Sequence, residues 1–239
     1  MPADQKALIS ALQATGKPVI VVVIAGRPLG LGPALKAPGL LMAYQGSTEA
    51  GAAVADVLFG RVNPSGRLPV SWPSEADAPG GDFCGGCPSP LGDQPKFFDQ
   101  LPDTASGQGH GYNPQFPFGS GLSYTTFQTS GLSVTGTVGR NGNVGVTVTV
   151  SNTGTRAGTE VVPVYAHQPV SDVVVPPQRL VAFARVTLDP GQSKVLHLSF
   201  PASVLAVTPG DIDATAVPQV ETGAYQAQVG SATASFTVR

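Results

Sequence analysis

The sequence contains few charged residues. Asp, Glu, Lys and Arg together make up 12% of its 239 residues, and the formal net charge is −2, whereas soluble domains ordinarily carry about 25% charged residues. Since neither sign predominates, the composition offers no electrostatic basis for binding nucleic acid or an anionic membrane surface. The sequence therefore predicts neither of these as a partner.

Long apolar runs are also absent. The longest, Val19–Ala25, has the length of a buried strand, and a membrane-spanning helix needs roughly 20 apolar residues. The first ten residues show neither the basic nor the apolar region of a signal peptide, so we expect no signal peptide within this chain. Because 41% of the residues are apolar, we expect a folded protein rather than a disordered one.

Cysteine is nearly absent, and its two copies, Cys84 and Cys87, stand together in the string FCGGCP. Such a pair can be a redox motif, half of a zinc site or a small disulfide. A redox pair opens a helix after a strand, but this pair lies among Gly and Pro, and zinc needs two further ligands. Because Lys is scarce and Gly, Ser and Thr are abundant, we favour a local disulfide in an exported protein, with free thiols as the alternative.

The first 75 residues alternate between helix and strand patterns. Apolar residues at helical spacing predict a helix over Asp4–Ala14, ended by Gly16. The uninterrupted run Pro18–Ile24 predicts a strand buried on both faces, as in a parallel sheet covered by helices. Gly39–Ala43 predicts a second buried strand. This order is typical of an α/β layer.

A second helix is predicted to run through Phe59, with Ser47 or Thr48 as its cap and Glu49 in its first turn. Two strands fall short of the 5 to 6 that an average sheet contains. We therefore expect the chain to begin inside an α/β domain, with the faces of its first strand uncovered.

The remaining residues change character twice. Residues 76–125 show no periodicity, and a loop of that length is usually functional or a linker. From residue 126 onward, Val and Thr alternate in short segments separated by turn formers, which predicts a β-sandwich of immunoglobulin or fibronectin type III kind. The predicted fold is thus a partial α/β sandwich domain over 1–125, with parallel-type strands and helices, followed by an all-β sandwich over 126–239.

Three strings together resemble glycoside hydrolase family 3. They are the helix Glu49–Phe59 followed by GRVNPSGRLPVSWP, the segment FPFGSGLSYTTF (116–127), and SNTGTRAGTEVVPVY (151–165) followed by RLVAFARVTLDPGQSK (179–194). Their order along the chain is the order found in that family. The resemblance implies the last part of the family's α/β domain and all of its fibronectin-like domain. It also implies a missing N-terminal barrel, which needs about 250 residues by itself.

The resemblance implies an O-glycosyl hydrolase of β-glucosidase or β-xylosidase type, without a cofactor. Its substrate would be a β-linked oligosaccharide or an aryl glycoside, and its location extracellular or periplasmic. Retaining glycosidases use two carboxylates. The family's nucleophile lies on the barrel and its acid/base lies upstream of the stretch that this chain resembles. We therefore assign no catalytic, cofactor or metal residue here, and expect the isolated chain to be inactive.

Glu49, Asp82 and Asp99 are the residues we predict to border the substrate cleft. Glu49 lies in YQGSTEAG, which resembles the family's aromatic-x-Gly-x-x-Glu turn, and the two aspartates lie in the long loop. Each also has a structural interpretation, as a first-turn helix residue or a solvated turn residue. The alternative function is a non-catalytic carbohydrate-binding module, for which the predicted sandwich offers Tyr165 and Tyr225, or a purely structural module.

Overall fold

A computed structural model describes residues 1–72, 114–173, 175–176, 178–209 and 217–239. The chain divides into two compact units. The N-terminal unit comprises Met1–Val62 and Leu68–Ser120, and the C-terminal unit comprises Asn63–Arg67 and Gly121–Arg239.

The N-terminal unit contains two α-helices, α1 (Ala3–Ala14) and α2 (Ala50–Leu58), one 3-10 helix (Gly32–Lys36), and two strands, β1 (Ile20–Val23) and β2 (Gly39–Met42), among its described residues. The described strands of the C-terminal unit are β3 (Phe127–Val134), β4 (Thr137–Val138), β5 (Asn143–Asn152), β6 (Gly158–His167), β7 (Arg179–Leu188), β8 (Ser193–Pro201), β9 (Gly223–Val229) and β10 (Ala232–Val238). A 3-10 helix (Ala202–Leu205) follows β8.

Strands β1 and β2 pair in parallel, with Ile20 opposite Gly39 and Val23 opposite Met42, as the sequence predicts. A parallel pair needs a crossover connection, which residues 24–38 and their 3-10 helix supply. The indole N–H of Trp72 donates a 2.7 Å hydrogen bond to the Leu29 carbonyl. This bond ties the crossover to a small apolar core made of Val21, Val23, Leu31, Ala34 and Trp72.

Only one face of β1 is buried. Val21 and Val23 are 9% and 6% exposed, whereas Ile20 and Ile24 on the other face are 56% and 72% exposed. The sequence predicts a strand suited to burial on both faces but left uncovered where the rest of its α/β domain is lacking; among the described residues one face is open and the other is buried. A continuous apolar run shows that both faces of a strand suit a nonpolar neighbour, but it does not show that the neighbour is present.

Helix α2 begins without the cap that the sequence predicts. Its N-cap residue is Glu49, and no side chain donates or accepts a capping hydrogen bond there. The backbone N–H of Ala50 instead donates to the Ser47 carbonyl at 3.0 Å. The prediction of Ser47 or Thr48 as cap is thus wrong, because a backbone turn takes up the start of the helix. Asp56, on this helix, forms an ion pair with Arg61 at 2.8 Å.

The C-terminal unit contains a five-stranded sheet in the order β4-β10-β9-β6-β7 and a three-stranded sheet in the order β3-β5-β8. Both sheets contribute to one core. Strand β5 shows why: its valines at every second position are at most 1% exposed, because alternate side chains of a strand point to the same face. These valines are Val144, Val146, Val148 and Val150.

Ionisation of the Tyr225 hydroxyl is expected to destabilise the C-terminal unit at alkaline pH. Burial, reinforced by the charge of Glu221, raises the pKa of Tyr225, while Arg179 and Arg140 oppose the shift. Since the folded state holds this proton more tightly, its contribution to stability is fully present below a pH of about 10 and is lost as the pH rises through the folded-state pKa. We expect the urea concentration at the unfolding midpoint to decrease as the pH is raised above that value.

The substitution Tyr225→Phe tests this expectation. It removes the titrating group and the 2.8 Å hydrogen bond to the Glu221 carbonyl. The variant should be less stable at neutral pH but lose less stability on the alkaline side. An alkaline decline as steep as that of the unaltered protein would assign the effect to other groups, such as Tyr44 and Tyr165, whose pKa values burial also raises.

Candidate functional site

The carboxyl ends of β1 and β2 form one edge of the N-terminal unit. The backbone N–H of Ala43 donates to the Val23 carbonyl at 2.9 Å, so the segments after the two strands start side by side. In open α/β sheets, ligands bind outside the carboxyl ends of the strands. We therefore take residues 24–27 and 43–49 as the candidate functional site.

The two segments approach each other closely. A Cβ atom placed on Gly26 would lie 3.0 Å from the side-chain nitrogen of Gln45. One placed on Gly46 would lie 2.3 Å from the Cβ of Ala50, at the start of α2. Glycine is therefore required at position 46, because no side chain fits between this turn and the helix.

Tyr44 stands out in this site. Its φ of 53° is the one positive value of a non-glycine residue in the described part of the chain. Such backbone strain costs on the order of 1–3 kcal/mol and occurs mainly at functional sites. The Tyr44 hydroxyl oxygen is buried and accepts or donates no hydrogen bond among the described residues. Burial raises the pKa of Tyr44, which keeps the phenol neutral.

Tyr44 is not among the site residues predicted from the sequence. The available signal was an aromatic residue placed directly after a buried strand and before a Gln-Gly turn, but the sequence does not show that its φ is positive. The resemblance drew attention to Glu49 in the same turn instead.

Glu49 lies at this edge and is exposed. It is the one acidic residue within segments 24–27 and 43–49, whereas glycoside hydrolysis with retention requires two carboxylates about 5 Å apart. The edge can therefore contact or orient a ligand but does not contain a complete catalytic pair. Asp82, Asp99, Cys84 and Cys87 fall outside the described residues, so the predictions made for them stay predictions.

A small hollow lies in the C-terminal unit between β6, β9 and the 3-10 helix after β8. His167, Gln168, Arg179 and Tyr225 are among its lining residues, and its volume is about 20 Å³. That volume holds one or two water molecules and is too small for a sugar ring. It is therefore not a candidate substrate site.

The described ranges contain no group of three or more His, Cys, Asp or Glu residues that could hold a metal ion. Among the same residues, every helix is too short or too polar to cross a bilayer.

Comparisons with known families agree with the resemblance. A family model described as "Glycosyl hydrolase family 3 C-terminal domain" matches residues 1–124. A second, described as "Fibronectin type III-like domain", matches residues 160–233. The two matches lie in the order that the sequence predicts.

Relatives of this chain include two glycosidases. The chain is 39% identical over 226 residues to a periplasmic β-glucosidase of Salmonella typhimurium, which covers 87% of this chain and 27% of the relative. It is 36% identical over 249 residues to a β-xylosidase of Formosa agariphila, covering 98% of this chain and 32% of the relative. The chain thus spans about a third or less of the length of these relatives.

Solved structures that resemble this chain include two β-glucosidases. β-Glucosidase 3B of Thermotoga neapolitana, in complex with α-D-glucose, aligns with a TM-score of 0.78 and 32% identity over 99% of this chain and 34% of that one. The β-glucosidase of Listeria innocua, in complex with isofagomine, aligns with a TM-score of 0.80 and 26% identity over 100% of this chain and 33% of that one. Because the first family model covers more than half of its residues, the chain belongs to glycoside hydrolase family 3.

Proposed function

We propose that this chain is the C-terminal portion of a β-glucosidase- or β-xylosidase-type glycoside hydrolase, and that it completes the enzyme without carrying its catalytic carboxylates. The observation that carries this proposal is the match to the family's C-terminal domain, together with a span of 27% and 32% of two named glycosidases. In this proposal residues 1–125 are the last part of the α/β domain, and 126–239 are a fibronectin type III-like β-sandwich.

The exposed face of β1 supports the proposal. Ile20 and Ile24 are more than half exposed, and so is Leu8 on α1, at 60%. A β-branched strand face open to water is unfavourable, because each buried aliphatic side chain contributes about 1.5–3 kcal/mol. We infer that an N-terminal portion bearing the barrel, in the same protein, covers Ile20 and Ile24.

The finer assignments follow from the same proposal. The substrate is a β-linked oligosaccharide or aryl glycoside, and Glu49, Asp82 and Asp99 border the cleft of the complete enzyme. We also propose an extracellular or periplasmic location, which the name of the Salmonella relative, a periplasmic β-glucosidase, supports, and a local disulfide between Cys84 and Cys87.

The binding-module alternative has less support. A sugar-binding sandwich needs exposed aromatic rings, and the sequence offers Tyr165 and Tyr225 for that purpose. Tyr225 is 1% exposed, since its ring stacks on Phe236 inside the core. One of the two candidate rings is therefore unable to contact a polysaccharide.

The first test assays the chain alone on aryl β-glucosides and aryl β-xylosides. We expect no turnover above the uncatalysed background, because the carboxylate pair is incomplete. A second sample fuses the chain to the N-terminal portion of the Salmonella relative, ending where the match begins, and should hydrolyse one of these substrates. Turnover by the isolated chain, or a fusion as inactive as its pieces, would contradict the proposal.

The substitution Ile24→Glu in the fusion tests the covered face. A carboxylate there would lie against the N-terminal portion, so we expect the fusion to lose at least ten-fold in activity, while the isolated chain keeps its stability. Val217→Glu is the matched control, because Val217 is 74% exposed and Ile24 is 72% exposed. Equal activity of the two variant fusions would show that Ile24 is not covered.

A further inference from the structure

The C-terminal unit includes five residues from a distant part of the sequence. Asn63–Arg67 belong to it, although Leu68–Ser120, which follow directly, belong to the N-terminal unit. We call Asn63–Arg67 the strap. Side-chain contacts join the strap to the rest of this unit.

The first contact is made by Asn63. Its side-chain oxygen accepts hydrogen bonds from the Ser123 hydroxyl at 3.1 Å and from the Tyr124 backbone N–H at 2.7 Å. Gly158 leaves room for it, since a Cβ atom there would lie 2.8 Å from the Asn63 side-chain nitrogen. The Asn63 side chain is therefore fixed by the hydrogen bonds to its oxygen and by close packing of its nitrogen against Gly158.

The second contact is made by Arg67, at the other end of the strap. One of its terminal nitrogens donates to the Gly121 carbonyl, and the other contacts the Glu160 carboxylate at 2.5 Å. The two charged side chains are only 26% and 15% exposed. A guanidinium that engages two acceptors at once is among the stronger and more specific contacts that proteins use. Between these ends, Arg185 donates to the Ser65 hydroxyl at 3.1 Å.

Residues next to the strap's binding partners are joined to one another by hydrogen bonds. Thr125 donates a 2.8 Å hydrogen bond to the Asn152 side chain, which also accepts one from the Gly154 N–H at 3.1 Å. A Cβ atom on Gly154 would lie 2.2 Å from the Thr125 hydroxyl. These contacts hold Thr125, which follows the strap's partners Ser123 and Tyr124, against Asn152 and Gly154 without any contribution from the strap.

The N-terminal unit likewise includes residues from a distant part of the sequence. The N-terminal unit takes residues from the far side of the 73–113 stretch, since the Leu68 N–H donates to the Ser120 carbonyl at 2.8 Å and the Trp72 N–H to the Phe116 carbonyl at 2.7 Å. Each unit is therefore built from chain segments that lie before and after residues 73–113.

We propose that the C-terminal unit carries a recognition cradle, formed by Gly121–Tyr124, Gly158–Glu160 and Arg185, for the chain's own strap. The ligand is a short peptide with an Asn and an Arg four positions apart. The cradle keeps the N-terminal and C-terminal pieces bound to each other after the chain between them is cut. This inference is independent of the proposed function, since it requires no activity.

The test uses the full chain with a specific protease site inserted in the sequence after Gly92, between the segments named above. After cleavage, we expect the two pieces of the otherwise unaltered chain to co-elute as one species in size-exclusion chromatography. Dilution or surface binding then gives the dissociation constant. Arg67→Ala should weaken association at least ten-fold. Arg61→Ala is the matched control and should stay within two-fold, since its ion pair with Asp56 is exposed.

Circular dichroism and urea unfolding of the uncut chains show whether each variant folds. If Arg67→Ala does not fold, Glu160→Gln, which keeps the shape of the acceptor side chain, decides instead, with an expected loss of at least five-fold. Cleaved pieces of the unaltered chain that separate at micromolar concentration would overturn the proposal. So would a folded Arg67→Ala or Glu160→Gln variant whose pieces associate as tightly as the unaltered ones.

Discussion

The substitution Phe236→Ala is expected to destabilise the C-terminal unit by about 3–5 kcal/mol, the usual range for emptying a buried aromatic site. Phe236 is 2% exposed. Its ring stacks on Tyr225 at 5.4 Å between centroids and meets the edge of Phe200 at 6.2 Å. Because these rings come from both sheets, the cavity would open where the sheets meet and could not be closed by one side chain alone.

Urea unfolding followed by circular dichroism measures this effect. Phe183→Ala is the matched control, since Phe183 lies on β7 and is 64% exposed, so its removal should change the free energy of unfolding by about 0.5 kcal/mol or less. Equal losses for the two substitutions would mean that the aromatic cluster does not stabilise the unit.

Asn152→Ala is expected to cost about 3 kcal/mol, because a buried polar group left without its partner costs about 1–3 kcal/mol and more than one is affected here. Asn152 is 1% exposed. Its side-chain nitrogen donates to the Arg156 and Leu188 carbonyls at 2.7 and 3.0 Å, while its oxygen accepts from Thr125. Alanine would remove the side-chain partner of the Thr125 hydroxyl and of the Leu188 and Arg156 carbonyls.

The comparison variant is Asn143→Ala at the exposed first residue of β5, which should change stability by about 0.5 kcal/mol or less. Unfolding midpoints of the two variants, read in the same urea series, decide the question. A midpoint for Asn152→Ala that matches the control would show that water replaces the lost partners, and that the loop after β5 is more open than the structure indicates.

The strands of the C-terminal unit could be predicted because their signal is local. The short segments of alternating Val and Thr identified after residue 126 coincide with strands β5 to β10, since a period of two residues directly reflects burial on one face. Strands β3 and β4 were not predicted. Phe127–Val134 contains Gly131 at a φ of 63° and a shift in register, which together break the alternation.

The contacts that fasten the strap could not be predicted. NPSGR has the composition of a turn, and nothing near Arg67 in sequence points to Glu160, which lies 93 positions away. Tyr44 illustrates the same limit at the candidate site. A left-handed residue is ordinarily predicted at Gly or Asn, so an aromatic residue in that conformation is visible only in three dimensions.

The interleaving of segments also bears on how such proteins recombine. A genetic crossover placed between residues 67 and 121 would give a chimera whose strap and cradle come from different parents. Productive exchange of C-terminal portions between relatives therefore requires either a breakpoint before Asn63 or parents that already match at Asn63, Arg67 and Glu160. Pairs of relatives that share these three residues should yield folded hybrids more often than pairs that do not.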